Sequence, residues 1–313
     1  MAMNLDTEDG WHVCKVVFQK VQEVALTAFG RQSASWLVAI VLAFLAFAAD
    51  GDQADSDAVS IAGETVTYLI VEDKSRPFQI VVNGKSAGGI VSEMVDAIFQ
   101  GSRYSVKHQV YPVNRLRQVV ADDKVAGWIA YEALQWHTFG NRGLMIEEPL
   151  FETHHVMLTC RQDIPDPLTS LADLKGMKIL TLRNFSYPEL GKAASDEGIK
   201  ELSIDRYDAG IDLVRMGRAD GFVEMQSRLS YHVAEALAGE SSASCLRMVD
   251  FSRIIPDYPI YLSVDMRWSR GFRNFVAQRI RELHQSGELA AIQRRYLRGT
   301  ELNRSPGTEF STQ

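Results

Sequence analysis

The sequence predicts an α/β protein made of two similarly built lobes. One observation is a repeated phrase: Lys124-Val125-Ala126-Gly127-Trp128-Ile129-Ala130 and Arg218-Ala219-Asp220-Gly221-Phe222-Val223-Glu224 share a basic residue, a glycine, an aromatic and an aliphatic in the same order. A second is what precedes each copy, an apolar segment at helical spacing: Leu116, Val119 and Val120 before one, Ile211, Leu213 and Val214 before the other. Helix, tight turn and short buried strand form the αβ half of a parallel-sheet unit, and two distant copies imply two lobes. Ligands commonly bind where lobes meet.

The elements follow in order. Thr65 to Val71 is rich in β-branched and aromatic residues and reads as a strand, ended by the charged turn Glu72-Asp73-Lys74-Ser75-Arg76-Pro77. Phe78 to Val82 is a short apolar run closed by the turn signal Asn83-Gly84. Ile90/Val91, Met94/Val95 and Ile98/Phe99 recur every fourth residue and mark one face of a helix. Tyr104 to Val110 is the next strand. A second block opens with the β-like His155 to Cys160, broken by Ile164-Pro165-Asp166-Pro167. Leu171 to Lys175 reads as one helical turn ended by Gly176. Met177 to Leu182 is a buried strand, Tyr207 to Met216 a helix, and Tyr258 to Val264 again a strand. Phe272, Phe275, Val276, Ile280 and Leu283 stand at helical spacing, a short helix follows around Leu289 to Leu297, and residues 301–313 form a polar tail.

Composition narrows the function classes. The 313 residues, 46% of them hydrophobic, can bury one large core or two moderate ones, and the net charge of -7 argues against a general nucleic-acid binder. Trp36 to Ala49 is an uncharged apolar run, shorter than the roughly 20 residues a membrane span needs but suited to a secretory signal. Arg31 flanks it, Ala46-Phe47-Ala48 has the form of a cleavage site, and the polar stretch 50–64 reads as a linker. Residues 1–49 are therefore read as a signal peptide, with an uncleaved anchor over Ser33 to Ala49 or a downstream start as the alternatives. All of these place the remainder outside the cytoplasm. There, Cys160 and Cys245 are free to pair; two buried, reduced thiols are the other reading.

The order of elements resembles the bacterial extracellular solute-binding proteins of family 3, the amino-acid-binding components of ABC importers. Four places carry the resemblance: Arg76-Pro77-Phe78 with Asn83-Gly84-Lys85 and Gly88; the first repeated phrase; Leu171-Ala172-Asp173-Leu174-Lys175-Gly176-Met177-Lys178-Ile179; and Phe275 to Tyr296 with Ser286-Gly287. Together they span roughly residues 65–298. The resemblance implies a type 2 periplasmic-binding fold, each lobe a mixed sheet flanked by helices, joined by two hinge strands at His155 to Cys160 and Tyr258 to Val264. Lobe one would comprise residues 65–154 and 258–300, and lobe two residues 155–257. It also implies a small polar, amino-acid-like ligand, an ABC permease in the inner membrane as partner, and no catalysis.

Ligand contacts in such a fold come from loops after strands. In lobe one these offer Glu72, Arg76 and Phe78, with Arg76 suited to a carboxylate and Phe78 to an apolar part of a ligand. Tyr131 and Trp136 lie beyond the first phrase. The family's ligand-gripping arginine has no counterpart there, since Arg142 lies several residues too late. In lobe two, Asn184 and Tyr187 flank a helix start at which Ser186 is a candidate cap ahead of Pro188. Glu224 ends the second phrase, one residue before the family's ligand-binding aspartate, where Met225 stands. A solvated turn at 72–76 and an outward salt bridge for Glu224 are the competing structural readings. Trp128 reads as core. His154 and His155 are neighbours on a strand, point to opposite faces and cannot chelate together, so neither metal nor cofactor is expected. A sensing or accessory domain is one alternative function, and a dehydratase-like enzyme is another. The enzyme would need Glu132 or Glu224 buried beside the ligand.

Overall fold

Strand β1 (Thr65–Val71) has both of its faces buried, which is why it reads as a nearly continuous apolar run. A computed structural model describes residues 65–297 except 73, 184, 186, 189, 192–196 and 239–244. The leader, linker and tail expected from the sequence, together with Asn184 and the cap Ser186, lie outside these residues. None of the described helices is long and apolar enough to cross a membrane.

After β1 the chain makes a hairpin of β2 (Val81–Val82) and β3 (Lys85–Ser86). Its turn needs left-handed backbone at both central residues, supplied by Asn83 (φ 50) and Gly84 (φ 71). Helix α1 (Ile90–Phe99) follows and buries the stripe seen in the sequence. Strand β4 (Ser105–Tyr111), helix α2 (Val113–Ala121) and β5 (Trp128–Glu132) complete a parallel unit, with β1 between β4 and β5. Two short strands, β6 (Gly143–Met145) and β7 (Phe151–Thr153), lead into β8 (His155–Thr159).

From β8 the chain builds a second sheet. It contains β9 (Lys178–Leu182), β10 (Lys200–Ile204), helix α3 (Tyr207–Arg215), β11 (Gly221–Met225), helix α4 (Gln226–Ala236) and β12 (Arg247–Asp250). The strand order is β10-β9-β11-β8-β12, with β9 parallel to both of its neighbours and β8 antiparallel to both of its own. Cys160 and Cys245, just past β8 and just before β12, form a disulfide with their Cα atoms 4.9 Å apart.

The chain then returns to the first sheet. Strand β13 (Tyr258–Asp265) runs antiparallel to β5, β6 and β7, and helices α5 (Arg270–Gln285) and α6 (Glu288–Leu297) pack with α1 over one face. On the other face, Leu116, Val119 and Val120 of α2 cover Trp128 and Phe139. The fold is thus two mixed sheets, each flanked by helices. The two connections run side by side: Tyr258 pairs with Thr153, whose hydroxyl donates to the Tyr258 carbonyl at 2.9 Å, and His154 meets Asp257 at 2.9 Å.

An aspartate anchors each copy of the repeated phrase. Buried Asp265, at the end of β13, accepts the Gly127 amide at 2.8 Å, while Asp220 accepts the Lys178 amide at 2.9 Å and meets Arg161 at 3.0 Å. These bonds set where β5 and β11 begin, and so where their far ends deliver Tyr131-Glu132 and Glu224-Met225.

Candidate functional site

The far end of β11 carries a group of buried charged and aromatic side chains. Glu224 is the fourth residue of that strand, and Arg228 lies in the first turn of α4, which follows without a break. The strand-to-helix corner folds them together: Arg228 Nη1 stands 3.7 Å from Glu224 Oε1, and both side chains are almost fully buried, at 2% and 1% exposure. A buried pair of this kind is stabilising only when other hydrogen bonds satisfy it.

Glu224 is well satisfied. Its Oε2 accepts the Tyr187 hydroxyl at 3.0 Å and the Tyr207 hydroxyl at 3.4 Å, and its Oε1 accepts the Met225 amide at 2.8 Å. Burial first, and then the Glu224 charge, push both tyrosines well above the usual phenol range, so they remain donors. Arg228 is not so well satisfied. Its guanidinium carbon lies 5.0 Å from the Phe78 ring centre and 4.9 Å from the Phe185 ring centre, so a ring of each lobe lies against the cation. Yet its Nε and Nη1 are shielded from solvent with no hydrogen-bond acceptor among the described residues.

Aromatic rings continue the junction on the lobe-one side. Phe78 meets Tyr131 edge-on at 6.1 Å, Tyr131 meets Trp136 at 5.8 Å, and Trp136 meets Tyr258 at 6.3 Å. Tyr258 in turn lies 5.5 Å from the His155 ring, while His232 stacks on Tyr207 at 3.9 Å. Burial first and the Arg228 charge second lower both histidines to about 4, leaving them neutral at physiological pH. At the rim, Arg76 meets Glu235 at 3.6 Å and Lys74 meets Asp205 at 3.8 Å across the lobes.

The residues expected from sequence divide accordingly. Phe78, Tyr131, Trp136, Tyr187 and Glu224 come together at this junction, and Arg76 sits at its rim, engaged with a lobe-two carboxylate. Phe78 is core and site at once, because its other contact is Phe151 in lobe one. Glu224 turns inward and not to an outer salt bridge, since its partner Arg228 is itself buried. Glu72 is exposed and takes no part in the cluster: its strand end is tied by backbone, through its amide to the Tyr111 carbonyl, and its side chain is left in solvent. Sequence reasoning missed Arg228, Phe185, Tyr207 and Tyr258. The Glu-x-x-x-Arg spacing was available, but it signals a pair only if both residues share one helix, and here it spans a strand and a helix.

Glu132 is also buried, but it faces the other side of β5 from Tyr131 and accepts the Thr138 hydroxyl at 2.8 Å. Burial raises its carboxyl above the ordinary range, with the Thr138 hydrogen bond opposing. A separate open depression of about 540 Å³ lies between α1, β4 and α6, lined by residues such as Glu93, Asp96, Tyr104 and Arg295, away from all of these groups. No three metal-ligating side chains cluster among the described residues.

No family model matches the chain, and no curated protein matches it. Solved structures do. A probable amino-acid ABC transporter extracellular-binding protein from Bacillus subtilis is similar at 13% identity and TM-score 0.58, covering 75% of this chain and 98% of that one. An ancestral arginine-binding protein bound to arginine is similar at 16% identity and TM-score 0.54, over 74% and 98% of the two chains. The ancestral amino-acid-binding protein that is a precursor of cyclohexadienyl dehydratase is similar at 14% and 0.54, over 75% and 96%.

Proposed function

The chain has the two-lobed type 2 periplasmic-binding fold, and we propose that it is a periplasmic solute-binding protein that captures a small polar molecule by closure of its lobes. The observation that carries this reading is the meeting of Phe78, in the turn after β1, with Phe185, in the loop after β9, and Arg228 of α4, at a buried polar junction flanked by two connecting segments. A ligand that bridges such a junction stabilises the closed arrangement by its differential affinity for it. The ligand-contacting set is Arg76, Phe78, Tyr131, Trp136, Tyr187 and Glu224, joined by Phe185, Tyr207 and Arg228. Lobe one comprises residues 65–154 and 258–300, and lobe two residues 155–257. Similarity to an ABC transporter binding protein supports delivery to an ABC permease. Residues 1–49 act as the export signal, either cleaved or retained as a membrane anchor.

The test is a thermal-shift series on the full chain with amino acids, polyamines and organic acids. A ligand that binds only the native state raises Tm. Small-angle scattering on the same samples should show contraction. If no member of any class moves Tm, solute capture is rejected.

A second reading, a dehydratase-like enzyme, draws on the burial of Glu132, although that carboxyl faces Thr138 on the side of β5 opposite Tyr131. A buried carboxyl held above its usual range is the kind of group that serves as general acid, and one similar protein is a precursor of a dehydratase. Loss of water from a hydroxy acid, followed by ultraviolet absorbance and abolished in Glu132→Gln, would establish it. Sensing without import would use the same cleft. N-terminal sequencing separates it, because a retained anchor suits a sensor and a cleaved signal suits a free receptor.

A further inference from the structure

Apart from Ser92 Oγ and Trp268 Nε1, the buried side-chain polar atoms without a partner among the described residues are Nε and Nη1 of Arg228, Nδ1 of His155 and Nε2 of His232. Unmet hydrogen-bonding capacity is therefore concentrated around one cation at the junction of the lobes. Leaving a buried donor unpaired is costly, and more so when it is charged. Native proteins rarely carry that cost without a partner, whether ordered water, an ion or a ligand.

From this geometry we propose that the cleft takes a carboxylate lacking any ammonium group, docked on the Arg228 guanidinium. The proposal rests on the solute-binding reading above and names the class of solute. Two further observations support it. First, the carboxylates beside the Arg228 junction are already engaged by the protein's own donors. Both oxygens of Glu224 are occupied, by Tyr187 and Tyr207 on one side and by the Met225 amide on the other. Glu235 is shared between Arg76 and His232 at 3.6 and 3.2 Å, and Glu132 is turned to Thr138. Second, the aromatic faces of Phe78 and Phe185, which would suit a cationic ligand, are already taken by the protein's own guanidinium. An entering carboxylate would gain charge-assisted hydrogen bonds from a donor that has already been desolvated and fixed by two rings.

Glu224 thereby becomes the permanent counter-ion of Arg228, and Tyr187 and Tyr207 hold it in place. His155 and His232, neutral beside the cation, leave Arg228 and Glu224 as the fixed charges of this buried cluster.

The experiment compares matched probes on the full chain: propionate against alanine, succinate against aspartate, and lactate, benzoate, citrate, arginine and putrescine alone. A carboxylate present at about one hundred times its Kd should raise Tm by roughly 5–10 °C, and its α-amino counterpart should bind at least about tenfold more weakly. Arg228→Lys, which keeps the charge but loses the planar fork, should weaken carboxylate binding by about tenfold or more in calorimetry. Glu224→Gln, which removes the competing negative charge, should tighten it. This rise in affinity is an outcome that a merely structural role for the pair would not give. If amino acids or amines bind and bare carboxylates do not, the proposal is overturned while solute capture stands. Carboxylate binding unchanged in both variants also overturns it, since Arg228 would then not be the docking group. If nothing binds, the solute-binding reading itself falls and takes this proposal with it.

Discussion

The buried histidines make a quantitative prediction about acid stability. His155 packs against Tyr258 and is depressed by burial, then by Arg228 and His154, to about 4. His232 stacks on Tyr207 and is depressed to about 4 by burial, Arg228 and Arg76, with Asp208 opposing. Glu235 faces His232 Nδ1 at 3.2 Å but is half exposed and shared with Arg76, so burial and the two guanidiniums outweigh it. An unfolded histidine titrates near 6.5, so between that value and about 4 the unfolded chain binds protons that the folded chain refuses. The stability each neutral ring contributes is present in full above about pH 6.5 and is lost as pH falls toward 4. Integrating over that difference from pH 7 to pH 5 gives a loss of about 2 kcal/mol per histidine. Urea unfolding of the wild type and of His155→Phe at both pH values isolates one ring, because carboxylate titrations cancel in the difference. The variant keeps the aromatic packing and should gain about 2 kcal/mol on the wild type as pH falls. A difference that stays constant to within about 0.5 kcal/mol would mean that His155 is not held neutral in the folded protein.

Replacing both Cys160 and Cys245 with serine releases a loop with a sequence separation of 85 and should cost up to about 4–5 kcal/mol by chain entropy, read as a lower urea midpoint; an unchanged midpoint would show that the bridge does not form in the protein. Gly89→Ala should destabilise by more than about 1 kcal/mol, because φ is 109° there and a Cβ would come within 2.7 Å of the Phe78 carbonyl oxygen; that clash would also shift Phe78, so ligand affinity should fall with stability, and a neutral result would contradict the packing of α1 against this loop.

What was legible in the sequence is what periodicity encodes. The α1 stripe, the Asn83-Gly84 turn and the α5 stripe were readable because their buried residues recur at fixed intervals. The strand β10 was not, because it is an edge strand whose residues, Leu202 among them, are largely exposed, so no alternation survives. The short β6 and β7 carry too few residues to show a pattern. Helix α4 escaped for a different reason. Part of its buried face, Arg228 above all, is polar and faces the other lobe, so burial there leaves no apolar stripe. The site was half legible: aromatic and acidic residues could be found near strand ends, but their mutual pairing depends on a corner that local pattern does not describe.

That corner explains why the second repeated phrase matters chemically and not only architecturally. Asp220 fixes the start of β11, so the strand's five residues deliver Glu224 and then Met225 at the junction of the lobes. Met225 packs into the lobe-one core while Glu224 is drawn back among the lobe-two tyrosines. Alternation along a strand sends adjacent side chains to opposite faces, so a one-residue shift exchanges which of them meets the other lobe. With an aspartate where Met225 stands, a carboxylate would face the cleft from that position. With methionine there, an apolar contact faces lobe one, and the acid at Glu224 is free to serve as counter-ion to Arg228. On the carboxylate proposal, an apolar Met225 and a buried Glu224–Arg228 pair both favour a ligand of negative charge.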